Sequence, residues 1–118
     1  MGQEIIKAKD LKFAKPHKYG ARACVIDNIS FPSRKEGNRY TELKLLQRAG
    51  KISDLEWQIP YDIEVNGIHV CQYIADFRYW DVEKKRQVVE DAKGFKTDVY
   101  RLKRKLVRAC YGIDIIET

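Results

Sequence analysis

The chain has 118 residues, 44% of them hydrophobic, and a formal net charge of +6, which is enough apolar material for one core and too little for a second domain of ordinary size. No apolar run approaches the roughly 18 residues that cross a bilayer, and Met1-Gly2-Gln3-Glu4 lacks the charged-then-apolar plan of a secretory signal, so the expectation is a cytoplasmic protein with no membrane partner. Cys24, Cys71 and Cys110 are odd in number and widely spaced, which argues against a disulfide framework or a zinc knuckle and for reduced core residues.

Residues 1–20 are rich in lysine, hold Pro16 and Gly20, and show no firm periodicity; they read as a basic N-terminal arm in front of a single domain over 21–118. Ala23-Cys24-Val25-Ile26 and Ile29-Ser30-Phe31 flank Asp27-Asn28, the pattern of a small hairpin. Ser33-Arg34-Lys35-Glu36 matches a capping box, and a helix from about Ser33 to Ala49 follows, stopped by Gly50. At about 100° per residue, Tyr40 and Leu43 fall within about 40° of Glu36, which puts this acid on the inward face. Its capping role needs no further function, and does not exclude one.

Ile52 to Val65 is strand-like with an interruption at Pro60, and Asn66-Gly67 signals a type I′ turn into a return strand from Ile68 to about Trp80. That strand embeds Asp76 among apolar and aromatic neighbours, where a lone carboxylate needs a cation or hydrogen-bond donors. Asp81 to Lys85 turns the chain into a third strand, Gln87 to Lys93, giving an antiparallel meander. Side chains alternate across a strand, so Asp91 and Lys93 emerge together and Glu90 on the opposite face. Taken singly, this acid and lysine read as a surface ion pair, worth about 0–1 kcal/mol. Thr97 or Asp98 caps a second helix to about Tyr111, closed by Gly112. Its apolar positions Val99, Leu102, Leu106, Val107 and Cys110 recur at helical spacing and leave Arg101, Arg104, Lys105 and Arg108 outward. Ile113, Ile115 and Ile116 supply a short last strand.

Between Lys93 and Arg108 lie seven cations against one acid, Asp98, so this segment carries the whole charge excess. Such a strip is a solvated helix face or a binding surface for a polyanion, most simply nucleic acid. The meander brings Asp76 and Asp91 onto adjacent strands, with Glu36 on a helix able to pack over them. Carboxylates gathered within about 4 Å repel by on the order of 4 kcal/mol per pair at an effective dielectric of about 20. A bound cation reverses the sign. The donors are all oxygen, from Asp76, Asp91, the Ala92 carbonyl and Glu36, a set suited to Mg²⁺, with Mn²⁺ able to substitute.

Asp76, then Asp91-x-Lys93 after a turn, preceded by a helical Glu36, resembles the PD-(D/E)XK nuclease superfamily. Ala75 stands where the eponymous proline often does, and that proline is not a ligand. More narrowly, Phe31-Pro-Ser-Arg-Lys-Glu36, Tyr73-Ile-Ala-Asp-Phe77 and Glu90-Asp-Ala-Lys-Gly-Phe-Lys-Thr97 look like a family of small phage and prophage proteins long catalogued as a domain of unknown function and placed among these nucleases. The resemblance runs from about Lys18 to Glu117. It implies an α+β, restriction-endonuclease-like αβββαβ core with a mixed central sheet flanked by helices. It also implies catalytic roles for Glu36, Asp76, Asp91 and Lys93, with Gln58 and Thr97 as supporting positions. DNA would be held by Lys96, Arg101, Arg104, Lys105 and Arg108. By analogy with small phage Holliday junction resolvases, the expected activity is a Mg²⁺-dependent endonuclease selective for branched DNA, acting as a homodimer without a nucleotide cofactor. Two alternatives stand beside it: a DNA-binding accessory protein that has lost turnover, and an endonuclease that cuts linear duplex at a defined sequence.

Overall fold

The computed structural model describes residues 23–92 and 96–118; the expected basic arm and Lys93 lie outside them. The described chain divides into two units, the first ending at Glu42 and the second running from Leu43 to Thr118.

In the first unit, β1 (Cys24–Ile26) pairs antiparallel with β2 (Ile29–Phe31) through the turn Asp27-Asn28. Both turn residues have positive φ, 53° and 63°, as a type I′ turn requires, and short polar side chains tolerate that region best. Helix α1 (Arg34–Arg48) begins where Ser33 Oγ accepts the Glu36 N–H at 3.1 Å, and the serine hydroxyl lies 3.5 Å from the Glu36 carboxylate that it faces as donor. Gly37 lets the helix approach the hairpin: a Cβ built there would meet Cys24 Sγ at 2.5 Å and the Ile26 Cδ1 at 2.9 Å. Tyr40 stacks 5.1 Å from Phe31 and donates to Asp27 at 2.9 Å. Burial and this bond push its phenol up to about 12.

The rest of α1 belongs to the second unit and ends in a Schellman motif. Lys51 N–H bonds to the Leu46 carbonyl at 2.9 Å and Gly50 N–H to that of Gln47 at 3.0 Å, with Gly50 at φ 77°. The chain continues as β3 (Ile52–Val65), β4 (Ile68–Asp81), β5 (Arg86–Asp91), α2 (Asp98–Tyr111) and β6 (Ile116–Glu117). The sheet order is β3-β4-β5-β6, antiparallel except for β6, which lies parallel to β5. Counting α1, the order is αβββαβ with a mixed sheet, as expected. Pro60 does not interrupt β3, which runs through it paired to Ile74, because β3 is an edge strand and its missing N–H costs no ladder bond.

Helix α2 is capped by Thr97, whose Oγ1 accepts the Tyr100 N–H at 3.0 Å, and closed by Gly112 at φ 69°. Its buried face differs from the one read from aliphatic spacing. Tyr100 and Val107 enter the core with Ile59, Tyr61, Ile63, Tyr73, Ala75, Val89 and Ile115, whereas Val99 is 63% and Leu102 58% exposed. Cys110 is also exposed and Arg104 is half-buried rather than outward. The reason is that tyrosine and long cations bury their stems and end on polar partners: Lys103 Nζ reaches the Gln72 carbonyl and Arg104 the Ile115 carbonyl, each at 2.9 Å. Among the described residues no helix is long and apolar enough to cross a membrane.

The contact at Gly37 generates a test. Helix propensity alone favours Gly37→Ala by about 1 kcal/mol, yet the substitution is expected to destabilise by about 1–3 kcal/mol in urea unfolding because the added methyl overpacks the hairpin. Cys24→Ala in the same chain should recover most of the loss, and a Gly37→Ala protein more stable than wild type would refute the close approach.

Candidate metal centre and cationic groove

The last paired position of the β4–β5 ladder is Phe77 opposite Glu90. Asp76 and Asp91 each stand one residue beyond it, at the end of the ladder. Asp76 Oδ2 accepts the Ala92 N–H at 2.8 Å. Asp91 is 0% exposed and its carboxylate accepts a hydrogen bond from the Tyr73 hydroxyl. Burial, then the charge and hydrogen bond of Asp91, with smaller effects from Tyr100 and Asp76, push the Tyr73 phenol well above its ordinary range. Both carboxylates therefore act on one phenol. From the other side β6 fixes the same point: Asp91 pairs with Glu117, and Thr118 N–H bonds to the Asp91 carbonyl at 3.0 Å.

Gln58 sits on β3 across from Asp76, between the pairs Trp57–Phe77 and Ile59–Ala75. Its φ is 54°, a left-handed conformation that costs a residue with a Cβ on the order of 1–3 kcal/mol and concentrates at functional sites. Thr97 is used as the helix cap described above. Glu36 belongs to the first unit, where it engages Ser33, and Lys93 falls outside the described residues. Of the residues expected at the centre, Asp76, Asp91 and Ala92 are thus brought together.

Among the described residues no group of three or more His, Cys, Asp or Glu side chains could hold a metal ion. Asp76 and Asp91 offer two carboxylates beside the Ala92 backbone, a hard oxygen set. Mg²⁺ fits such a set because it keeps several waters and is commonly held by one or two carboxylates plus substrate phosphate.

All five cations expected to contact DNA line one cavity of about 440 Å³, formed by α2 and the segment leading into β6. Lys96, Arg101, Arg104, Lys105 and Arg108 share it with the acids Asp114 and Glu117. Arg108 pairs with Asp114 at 3.2 Å and Arg101 with Asp98 at 3.5 Å. Glu117 receives three donors: Lys96 at 3.3 Å, Arg104 at 3.3 Å and the Tyr100 hydroxyl at 2.8 Å. Burial opposes its ionisation, but the Tyr100 and Lys96 hydrogen bonds and the Arg104 charge outweigh it and hold the carboxyl below the usual range. The Tyr100 phenol is pushed up by burial, by this bond and by the charge of Asp91. Its ring lies 6.3 Å from that of Tyr73, so two neighbouring phenols connect the buried aspartate to the groove.

Sequence reading missed Tyr73, Tyr100 and Glu117. The signal for the tyrosines was their inward phase, since a buried phenol must find a partner. For Glu117 there was no local signal, because its neighbours come from α2 and β5.

A family model described as "Protein of unknown function (DUF1064)" matches residues 16–115, and the chain belongs to that family. No curated protein and no solved structure matches it.

Tyr73→Phe isolates the phenol that serves Asp91. Its loss is expected to cost about 1–3 kcal/mol in urea unfolding, the penalty for removing a donor from a buried carboxylate, and less when Asp91 is also changed to Asn. Equal stability of Tyr73→Phe and wild type would show that the phenol does not support the buried charge.

Proposed function

We propose that the protein is a Mg²⁺-dependent DNA endonuclease of the PD-(D/E)XK type, cytoplasmic, phage-associated and selective for branched DNA, working as a homodimer. The observation that carries this reading is the buried Asp91 beside Asp76, joined through the Ala92 N–H, one strand away from a groove lined by five cations. The αβββαβ order with a parallel last strand, and the strained Gln58 across from Asp76, support it.

In this reading Asp76 and Asp91, with the Ala92 carbonyl, would hold the ion. When bound, Mg²⁺ supplies Lewis acidity that activates a water and offsets charge on the leaving oxygen. Tyr73 and the Ala92 N–H keep the two carboxylates in place. Lys93 orients the attacking water and stabilises the pentavalent phosphorus, while the cations of α2 fix the backbone of the DNA by contacts that carry no sequence information. Since two symmetric cuts resolve a four-way junction, a two-fold pair of chains is the expected working form. The groove also favours a second reading, a DNA-binding protein without turnover, because its cations do not depend on the carboxylates.

Incubation with labelled junction, flap and linear duplex in Mg²⁺ tests the activity. Preferential cutting of branched substrates is expected; equal cutting of all three removes the branch selectivity, and no cutting in Mg²⁺ or Mn²⁺ removes the enzyme. Asp91→Ala should abolish cleavage while DNA affinity holds or rises, since repulsion between carboxylate and phosphate is relieved. Arg101→Ala or Lys105→Ala should instead weaken binding to all sequences and reduce the salt slope by about one.

A further inference from the structure

Glu117 is the point where the groove is occupied by the chain itself. Its carboxylate gathers an ammonium on Oε1 and a guanidinium and a phenol on Oε2. A phosphodiester resembles a carboxylate in the two respects these donors read: it carries one negative charge, and it presents two terminal oxygens. We propose that Lys96, Tyr100 and Arg104 form a phosphodiester-binding subsite for a nucleic acid strand, filled from within the chain by the Glu117 carboxylate, which the strand displaces. This deepens the nuclease reading above and rests on it for the identity of the ligand.

Three further observations give the subsite its reach. Glu117 keeps 22% of its side chain exposed, so it can swing outward, and it ends a two-residue strand at the sheet edge whose ladder bonds are made by backbone. Arg101, Lys105 and Arg108 continue from Arg104 along α2 at helical spacing, about 5–6 Å between neighbours. They line the same cavity, so the surface suits a row of phosphates better than a single anion. Finally, Glu117 is the ladder partner of Asp91, and adjacent strands lie about 4.8 Å apart. A phosphate held by Lys96 and Arg104 is therefore next to the one presented to Asp76 and Asp91. The subsite positions the strand by its neighbouring phosphate.

Removing the internal competitor should strengthen binding. In fluorescence anisotropy with a labelled DNA oligomer, in EDTA and without divalent ion, Glu117→Gln is expected to bind about 10-fold tighter than wild type, with a salt slope steeper by about one. Glutamine keeps an acceptor for Tyr100, and Lys96→Gln in the same chain should abolish the gain. Unchanged or weaker binding by Glu117→Gln overturns the subsite, because it would mean that the carboxylate organises the cations rather than occupying their site. A gain for inorganic phosphate at matched ionic strength without one for DNA overturns the nucleic-acid assignment. If Glu117→Gln does not fold, Lys96→Gln alone decides: about 3-fold weaker DNA binding with a shallower salt slope supports the subsite, and wild-type binding overturns it. These measurements need no cleavage, so failure of the nuclease reading appears only in the junction assay and failure of the subsite only here.

Discussion

Four acids among the described residues accept hydrogen bonds from phenols. Asp27 accepts from Tyr40, Asp91 from Tyr73, Glu90 from Tyr79 and Glu117 from Tyr100, and two of these acids, Glu90 and Asp91, are almost or completely buried at adjacent positions of β5. A carboxylate moved out of water costs several kcal/mol unless donors replace its hydration. Tyrosine supplies a donor on an apolar body, so a strand can carry an acid inside the core without bringing in a second charge. The arrangement of β4, β5, α2 and β6 around the end of the ladder depends on these pairs.

The geometry that results separates two kinds of charge by one strand. The carboxylates Asp76 and Asp91 sit at the end of β4 and β5, held by Ala92 and Tyr73. Arg104 and Arg108 of α2 reach the segment that ends in β6, where Glu117 and the Ile115 carbonyl hold the first and Asp114 the second. Tyr73 and Tyr100 lie between them. An anionic polymer lying in the groove would meet the cations first and bring its next phosphate toward the carboxylates, which is the order in which electrostatic steering followed by local chemistry works. In the proposed function, a bound metal ion would relieve the repulsion that the second step otherwise meets.

Much of the architecture was legible in the sequence because its signals were local. The paired turn residues Asp27-Asn28 and Asn66-Gly67, the serine cap at Ser33 and the glycine stops at Gly50 and Gly112 each act within a few residues, and each lies where turn and cap chemistry predicts. The buried face of α2 was not legible, because the aliphatic spacing of Val99 and Leu102 outweighed Tyr100, whose burial depends on an acid brought from β6. The same limit applied to the site. Asp76 stood out as an acid in an apolar strand, but the phenol serving Asp91 comes from 18 residues earlier, a separation at which no periodicity speaks.

The proposed function requires Asp76 and Asp91 to form a pair whose charge a divalent ion would balance. Thermal unfolding with and without Mg²⁺ or Mn²⁺, for wild type and Asp91→Asn, tests it most directly. Metal at about a hundredfold excess over its Kd should stabilise wild type by about 2.7 kcal/mol, and Asp91→Asn should respond little. Equal Tm values for wild type with and without metal, or an equal metal response in Asp91→Asn, contradict the pairing.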